Sequence, residues 1–404
     1  MKSKSFKYLW IGQSFADIGD VLYIVALISL LYSSTGSPFY LAFLPFAITF
    51  ARFISGIFAP ILINRLNLKS LLVSSQVIKT VLLLLLSLYV YMQIEAMSPF
   101  IVITFAFTIS FFDGWANPAR DAMLPRLVSS KELVRANSFL ASVDQIIQLG
   151  GWAFGGILVA AISGSYVIWL TLLLYFVSTL MMFGIIDETQ HEISKDKEKA
   201  FWYVLKEGWA IIWRNPSLRN IHVMLFIESI AHVVWIAAIL YVFVYEVLQE
   251  SEKWWGYINV SFFVGLFIGG VVGMKFSTMI EKHMTKTIIM TSFVVSVMPF
   301  LFGVNSNAWM ALIISAMFGL FEQIKGISLQ TGIQQSTSAD MLPKVYAAQS
   351  ALTAITFGLS TLFFGYISEH YNIRVVFILA GILLVMSAIY ALKNKNSLEM
   401  KKVA

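Results

Sequence analysis

The sequence predicts an all-α integral membrane protein with twelve transmembrane helices in two pseudo-symmetric halves of six. Three observations support this fold class. Of the 404 residues, 58% are hydrophobic and only 12% are charged, whereas soluble domains carry about 25% charged residues. The apolar residues form blocks of about 20 to 28 residues, and ~20 suffice for a helix to cross the hydrocarbon core. Short motifs also recur between the two halves of the chain.

The apolar blocks give the order of the helices. The first block follows a basic start but is too long for a signal peptide, so we expect it to remain as the first helix. The expected spans are 8–33, 38–63, 70–93, 99–124, 134–163, 166–186, 217–248, 254–279, 286–303, 308–336, 344–370 and 373–392.

Six spans precede a polar segment and six follow it. The expected domains are an N-terminal half at 1–186, a linker at 187–216, a C-terminal half at 217–392 and a tail at 393–404. Within the linker, a helical pattern places apolar side chains on one face, which we expect to lie on the membrane surface. That face consists of Phe201, Val204, Leu205, Trp209 and Ile212.

The distribution of Lys and Arg predicts the orientation. With the N-terminus in the cytoplasm, 23 of the 28 basic residues fall in cytoplasmic segments, and only Lys253 and Arg374 fall outside. The positive-inside rule therefore places both termini in the cytoplasm. This asymmetry also accounts for the net charge of +6, so we expect no nucleic-acid partner. With no Cys, thiolate metal sites and disulfides are excluded.

Two pairs of motifs recur at nearly one offset. Gly56 is followed by Asn64-Arg65 and Lys69, and Gly273 is followed at the same distances by Glu281-Lys282 and Lys286, a shift of 217 residues. The stretches Met123-Leu-Pro-Arg126 and Met341-Leu-Pro-Lys344 are shifted by 218. Because unrelated loops share one offset, we infer a duplication of six helices, a known plan of transporters.

These motifs resemble the major facilitator superfamily. GIFAPILINRLNLK at 56–69 is similar to its loop between helices two and three. NPARDAMLPRLVSSKELVRANSF at 117–139 resembles the branch of macrolide-efflux and multidrug proton antiporters, which also includes siderophore exporters. The resemblance implies the major facilitator fold and a multi-pass protein of the bacterial cytoplasmic (cell) membrane, expected as a monomer.

The resemblance also implies gating residues. The family usually has Asp where this chain has Asn64, and that acid helps to lock the outward-facing state. The lock is therefore expected to be weaker here or to depend on Glu281. We expect close helix approach at Gly56 and Gly273, since small residues allow it. The candidate gating residues are Gly56, Asn64, Arg65, Arg120 and Glu281.

Nine charged residues lie near the middle of predicted spans. A charge there costs at least ~2.5 to 3.5 kcal/mol, so the set predicts a polar cavity. The surplus of three negative charges must be protonated or wait for a cation, although individual pairs could be structural. The nine candidates for proton coupling or substrate binding are Asp17, Asp20, Arg52, Lys79, Asp113, Asp144, Glu228, Glu322 and Lys325.

Spacing along the helices suggests partners among these charges. Glu322 and Lys325, three residues apart, can bridge within one turn. Asp17 and Asp20 share a face and are expected to titrate as a pair. His232 follows Glu228 by four residues and could share its proton. The family resemblance adds an argument for Asp144 and Glu322, because related drug antiporters have functional carboxylates on the fifth and tenth helices. The aromatic residues near these acids, Phe111, Phe112, Trp115 and Trp235, are expected mainly to pack.

The sequence carries no Walker loop, nucleophile elbow, zinc-protease motif or dinucleotide fingerprint. We therefore expect no enzyme, cofactor or metal site, and a gradient as the energy source. The expected function is export of a small organic solute, a lipophilic drug, by proton antiport with alternating access around an acidic cavity. Two alternatives remain open. One is export of an anionic siderophore or metabolite bound by Arg52, Lys79 and Lys325, and the other is lipid translocation. The expected partners are substrate, protons and the lipid bilayer.

Overall fold

The computed structural model describes residues 3–35, 38–65, 67–93, 97–187, 201–235, 237–251 and 253–398. These residues form sixteen α-helices and two 3₁₀ segments, with no strand among them, and so confirm the all-α fold. The α-helices are α1 (Lys4–Thr35), α2 (Pro38–Arg65), α3 (Leu68–Met92), α4 (Pro99–Asp113), α5 (Ala116–Leu127), α6 (Leu133–Ile162), α7 (Gly164–Phe183), α8 (Phe201–Arg214), α9 (Pro216–Ala231), α10 (Ala237–Glu246), α11 (Lys253–Lys275), α12 (Ser277–Lys282), α13 (Met284–Val304), α14 (Ala308–Gln335), α15 (Leu342–His370) and α16 (Ile373–Lys393).

Within the described ranges, ten helical segments are long and apolar enough to cross a membrane. The remaining two expected spans correspond to α2, which is apolar over 43–56, and to the α9–α10 pair. The helix expected in the linker is α8. Residues 188–200 of the linker, 399–404 of the tail, and the side chains of Phe201, Val204 and Leu205 lie outside the described part of the chain.

Two spans that the sequence predicted as continuous are interrupted. The fourth is divided between α4 and α5 at Gly114 and Trp115, and the seventh between α9 and α10 by the 3₁₀ segment His232–Trp235. A Cβ at Gly114 would lie 2.6 Å from the Ser55 side chain and 3.0 Å from the Arg52 carbonyl, so only glycine allows α2 this close. At the same break, the Ser75 hydroxyl donates to the Phe112 carbonyl, an acceptor at the helix end that needs a partner.

Asparagine side chains fix several helix starts. Asn67 accepts from the Ser70 amide at 2.6 Å before α3, and Asn307 from the Met310 amide at 3.1 Å before α14. Such caps satisfy amides that have no acceptor within the helix. They explain why polar residues interrupt the apolar pattern at these points.

The chain folds into two compact units. Unit 1 comprises 1–129, 146–208 and 339–347, and unit 2 comprises 130–145, 209–338 and 348–404. Each unit has its own apolar core. In unit 1 the core is built by α1, α2, α3, α4 and α7, and in unit 2 by the segment from α9 to α11 together with α13, α14, α15 and α16. Large exposed apolar side chains such as Phe46, Phe100 and Phe176 suit surfaces that face lipid.

Helices α11 and α14 of unit 2 approach through glycines. A Cβ at Gly265 would meet the Ala316 carbonyl, one at Gly269 the Leu320 carbonyl, and one at Gly319 the Phe262 carbonyl. Since the backbones themselves are in contact, no side-chain rotation can make room. This is the close packing that small residues permit in membrane helices.

The duplicated motifs have related but unequal environments. Arg126 forms an ion pair with Asp187 at 3.3 Å, and Lys344 with Glu207 at 2.9 Å, so both basic residues are anchored. A Cβ at Gly273 would lie 2.7 Å from the Ser138 hydroxyl. At Gly56, however, no described atom lies within 4 Å of such a Cβ, so this structure shows no close helix approach there.

We predict that Gly319→Ala destabilises unit 2 by about 1 to 3 kcal/mol, the usual cost of overpacking. The new methyl would overlap the Phe262 carbonyl, which belongs to a helical backbone. Thermal unfolding of the purified protein would measure the loss as a lower Tm. The matched control is Gly326→Ala on the same helix, where the added Cβ would meet nothing within 4 Å. Equal Tm changes in both variants would contradict the packing explanation.

Candidate functional site

Four helices of unit 1 bring four mid-span charges together. We call Asp20, Arg52, Lys79 and Asp113 the N-terminal charge cluster. The Lys79 ammonium bridges two carboxylates, at 3.0 Å from Asp20 and 2.6 Å from Asp113. The Arg52 guanidinium lies 3.0 Å from Asp113 and 3.8 Å from Asp20. Two acids and two bases therefore balance within one cluster.

A tyrosine from α7 completes this cluster. The Tyr175 hydroxyl donates to Asp20, and the Lys79 ammonium lies 5.0 Å from the centre of the Tyr175 ring. A Cβ at Gly19 would be 2.6 Å from that ring, so the absence of a side chain there makes room for it. Only 2% of the Lys79 side chain is exposed, whereas 39% of Arg52 is exposed. Arg52 is thus the reachable cation of the cluster.

Unit 2 contains a second arrangement of the same kind. We call Glu228, His232, Glu322 and Lys325 the C-terminal charge cluster. The Lys325 ammonium again bridges two carboxylates, at 3.1 Å from Glu228 and 2.8 Å from Glu322. The i,i+3 bridge expected between Glu322 and Lys325 is therefore present. The second carboxylate, Glu228, comes from α9 and was not expected as a partner.

The C-terminal charge cluster differs from its counterpart in charge. His232 Nε2 lies 3.6 Å from Glu322, although the sequence suggested that His232 shares a proton with Glu228. With a neutral imidazole the cluster carries two negative charges and one positive charge, and one bound proton makes it neutral. The more exposed side chains are those of His232, 29% exposed, and Glu322, 19% exposed. Lys325 and Glu228 are buried, and the Ser387 hydroxyl donates to Glu228 at 2.9 Å.

Aromatic side chains hold the helix break beside this cluster. The Trp235 ring centre lies 4.6 Å from that of Phe318, 5.1 Å from Phe302 and 5.9 Å from Phe377. The three phenylalanines are almost completely buried. This geometry is ordinary core packing, and it fixes the segment that carries His232.

Near the other break, Trp115 lies edge-on to two phenylalanines. Its ring centre is 5.3 Å from both Phe111 and Phe112. Here too the aromatic side chains pack against one another.

The remaining predicted coupling residues lie outside the two clusters. Asp17 lies 3.8 Å from Arg120 and accepts from the Gln13 amide at 2.8 Å. The structure thus gives Asp17 and Asp20 different basic partners, and the expectation that they titrate together gains no support. Asp144 is half-buried on α6.

The predicted gating residues are less fully described. Arg120 also contacts Asp121 at 3.2 Å, and Glu281 is half-buried on α12. The side chains of Asn64 and Arg65 lie outside the described part of α2. The gating roles expected of Asn64 and Arg65 therefore stay predictions.

Three polar residues that make buried contacts were missed by sequence reasoning. Tyr175 and Ser387 serve the two clusters, and in unit 2 Asn137 donates to Thr331 at 2.9 Å and to Gln334 at 2.6 Å. Buried polar atoms need partners, so each of these residues in an apolar span carried a usable signal. Their partners could not be inferred, because they lie on helices distant in sequence.

The chain is similar in sequence and in fold to known transporters. Residues 9–348 match the family model of the Major Facilitator Superfamily. The MFS-type transporter YfmI of Bacillus subtilis strain 168, itself uncharacterised, is 30% identical over 404 residues, covering 99% of this chain and 98% of YfmI.

Solved structures show the same fold at low identity. A bacterial homologue of the iron transporter ferroportin superposes with a TM-score of 0.78, at 12% identity, covering 97% of this chain and 99% of that one. The Escherichia coli fucose:proton symporter gives a TM-score of 0.70 at 15% identity, covering 94% and 98%. At such identities the likeness concerns the fold alone.

We predict that Lys79→Met destabilises unit 1 by about 3 to 5 kcal/mol, because it leaves buried carboxylates without their ammonium. Tm measurements on the purified protein would detect the loss. The double variant Asp20→Asn with Lys79→Met removes one charge of each sign and should recover part of the stability. A double variant no more stable than Lys79→Met alone would show that charge balance is not what the cluster needs.

Proposed function

Because the chain belongs to the Major Facilitator Superfamily and is therefore a membrane transporter, we propose that it exports a small lipophilic solute in exchange for protons. The observation that carries the proposal is the missing positive charge of the C-terminal charge cluster. The N-terminal charge cluster has two cations for two carboxylates. In the C-terminal charge cluster, Lys325 is the single permanent cation and bridges both Glu228 and Glu322. The fourth member, His232, becomes a cation only by binding a proton.

The proton site we propose is the couple of His232 and Glu322. An uncompensated carboxylate inside a membrane protein is costly, so the cluster favours a bound proton or another cation. An imidazole can bind and release a proton, and both side chains of the couple are partly exposed. Glu228 is buried between Lys325 and Ser387 and is less suited to exchange with water.

Exchange follows if proton and cargo compete for one negative charge. A cationic cargo can neutralise Glu322 only when the proton has left, and a returning proton releases the cargo. The C-terminal charge cluster is then neutral during each conformational change, because either the proton or the cationic cargo is bound. Rocking of two six-helix halves would supply the alternating access.

The structural neighbours support coupling only through the fold. One is a fucose:proton symporter, so this architecture accommodates proton coupling in another protein. The direction of transport rests on residues 117–139, which resemble the efflux branch of the family. The same resemblance favours a lipophilic drug as cargo.

Anionic cargo is a second candidate, favoured by the exposure of Arg52. Of the three bases proposed as anion ligands, Lys79 and Lys325 are buried and each already bridges two carboxylates. Arg52 remains reachable, although it is paired with Asp113. An anionic group would therefore have to displace Asp113 from Arg52.

We predict that Glu322→Gln abolishes proton-driven export while leaving a folded protein. The amide keeps the size of the side chain but cannot exchange a proton. The measurement is solute flux in proteoliposomes with and without an imposed pH gradient. In the variant, flux should fall to the rate seen without a gradient.

Two further variants test the role of each group. Compared with wild type, His232→Gln should show a shifted pH dependence of flux or none. Glu246→Gln, an exposed carboxylate at the end of α10 and outside both clusters, is the matched control and should keep gradient-driven flux. Full gradient dependence in Glu322→Gln would refute the assigned proton site.

The class of cargo can be tested by binding of charged probes. We predict that Glu322→Gln weakens binding of the lipophilic cation tetraphenylphosphonium, whereas Arg52→Gln leaves it unchanged. Fluorescence or calorimetric titration of purified protein would measure both. The anionic alternative would be favoured by two results together. Arg52→Gln would lose binding of an anionic dye such as fluorescein, and Glu322→Gln would bind tetraphenylphosphonium as wild type does.

A further inference from the structure

The end of the described chain folds back onto unit 2. After α16, the Ser217 hydroxyl donates to the Ser397 carbonyl at 2.6 Å, and the Thr285 hydroxyl donates to the Leu398 carbonyl at 3.0 Å. The Leu398 side chain is completely buried. The turn at 394–398 thereby ties the start of α9 to the start of α13.

This turn gathers exposed bases from three segments of unit 2, 213–219, 275–286 and 393–398. We call the surface they form the basic face. The only acidic residue in these three described segments is Glu281, which is half-buried. The bases of the basic face are Arg214, Arg219, Lys275, Lys282, Lys286, Lys393 and Lys395, all of them exposed.

Exposed apolar side chains lie among these bases. Trp213 is 57% exposed next to Arg214, and Phe276 and Met279 are exposed beside Lys275. Tryptophan with basic neighbours is typical of the level where lipid headgroups meet the acyl chains. A surface that contacts only water would gain nothing from exposing these apolar side chains.

We propose that the basic face binds the headgroups of anionic phospholipids in the adjacent leaflet. Clusters of four to eight Lys and Arg at the end of a membrane helix attract anionic lipid, and each base contributes. The positive-inside rule would also explain basic loops on one side of the membrane, but it requires only that the bases be present. It does not require a turn that buries Leu398 and draws three segments together.

The site is expected to favour lipid over a soluble anion. The bases are exposed and spread over three segments, so several headgroups can be contacted side by side. The exposed Trp213, Phe276 and Met279 can contact the glycerol and acyl region below the headgroups. Such contacts are available to a phospholipid and not to free phosphate.

The test compares lipid binding to the full purified chain by native mass spectrometry. Dioleoylphosphatidylglycerol and dioleoylphosphatidylcholine are titrated separately into detergent-solubilised protein. We expect wild type to bind the anionic lipid more tightly, and the double variant Lys393→Gln with Lys395→Gln to lose about fivefold in affinity for each base removed. Binding of the zwitterionic lipid should not change.

The matched control is Lys253→Gln, which removes an exposed base of unit 2 at the other end of α11 and should leave anionic lipid binding intact. Equal affinity for the two lipids, or an equal loss in Lys253→Gln, would overturn the proposal. So would tighter binding of inorganic phosphate or poly-glutamate than of phosphatidylglycerol.

A salt titration of wild type keeps the test valid if the double variant fails to fold. Raising the salt from about 0.1 M to about 1 M shortens the Debye length from ~10 to ~3 Å. Binding of phosphatidylglycerol should then weaken while binding of phosphatidylcholine stays constant. Salt-independent binding of the anionic lipid would contradict the electrostatic assignment.

Discussion

The structure of both units depends on one constraint, that an ammonium buried among apolar helices must be shared between carboxylates. Lys79 and Lys325 are each about 2% exposed or less, and each bridges two acids from different helices. A buried charge is tolerated only with close partners. The helices that carry these acids are therefore held at fixed distances, and the apolar packing around them is organised accordingly.

Each cluster has a buried lysine between two carboxylates, and the two clusters differ in their fourth group. In unit 1 the second cation is Arg52, which is charged under all physiological conditions, so the cluster stays balanced. In unit 2 the corresponding group is His232, whose charge depends on a proton. In the proposed cycle the first cluster is then a permanent structural charge network, while the second is the one that can change charge. This division follows from residue type and distance.

Sequence reasoning predicted the spans and one local bridge, because both depend on short-range spacing. The bridge between Glu322 and Lys325 lies within one helical turn and needs no tertiary information. Partners across helices could not be predicted in this way. Asp20 and Asp17 share a helix face, yet one meets Lys79 and the other Arg120. The His232 imidazole lies at Glu322 from α14, and Glu228 is instead contacted by Lys325 and Ser387. These partners come from helices distant in sequence, so the spacing of Glu228 and His232 could not reveal them.

In the proposed cycle, the helix breaks allow a cluster of buried charges to exchange a proton. Asp113 is the last residue of α4, and His232 is the first of the 3₁₀ segment, so each cluster lies at an interruption, as binding sites of transporters often do. The break at His232 is anchored by Trp235 among buried phenylalanines, which keeps the imidazole in place. In the proposed cycle, a proton would therefore bind to and leave this imidazole without unfolding the segment. With the proton absent, the cluster carries an uncompensated negative charge, and a conformational change in that state would close this charge off from water at a cost of a few kcal/mol. In the proposed cycle, return without proton or cationic cargo would be disfavoured for this reason, and the same cost would make the exchange obligatory.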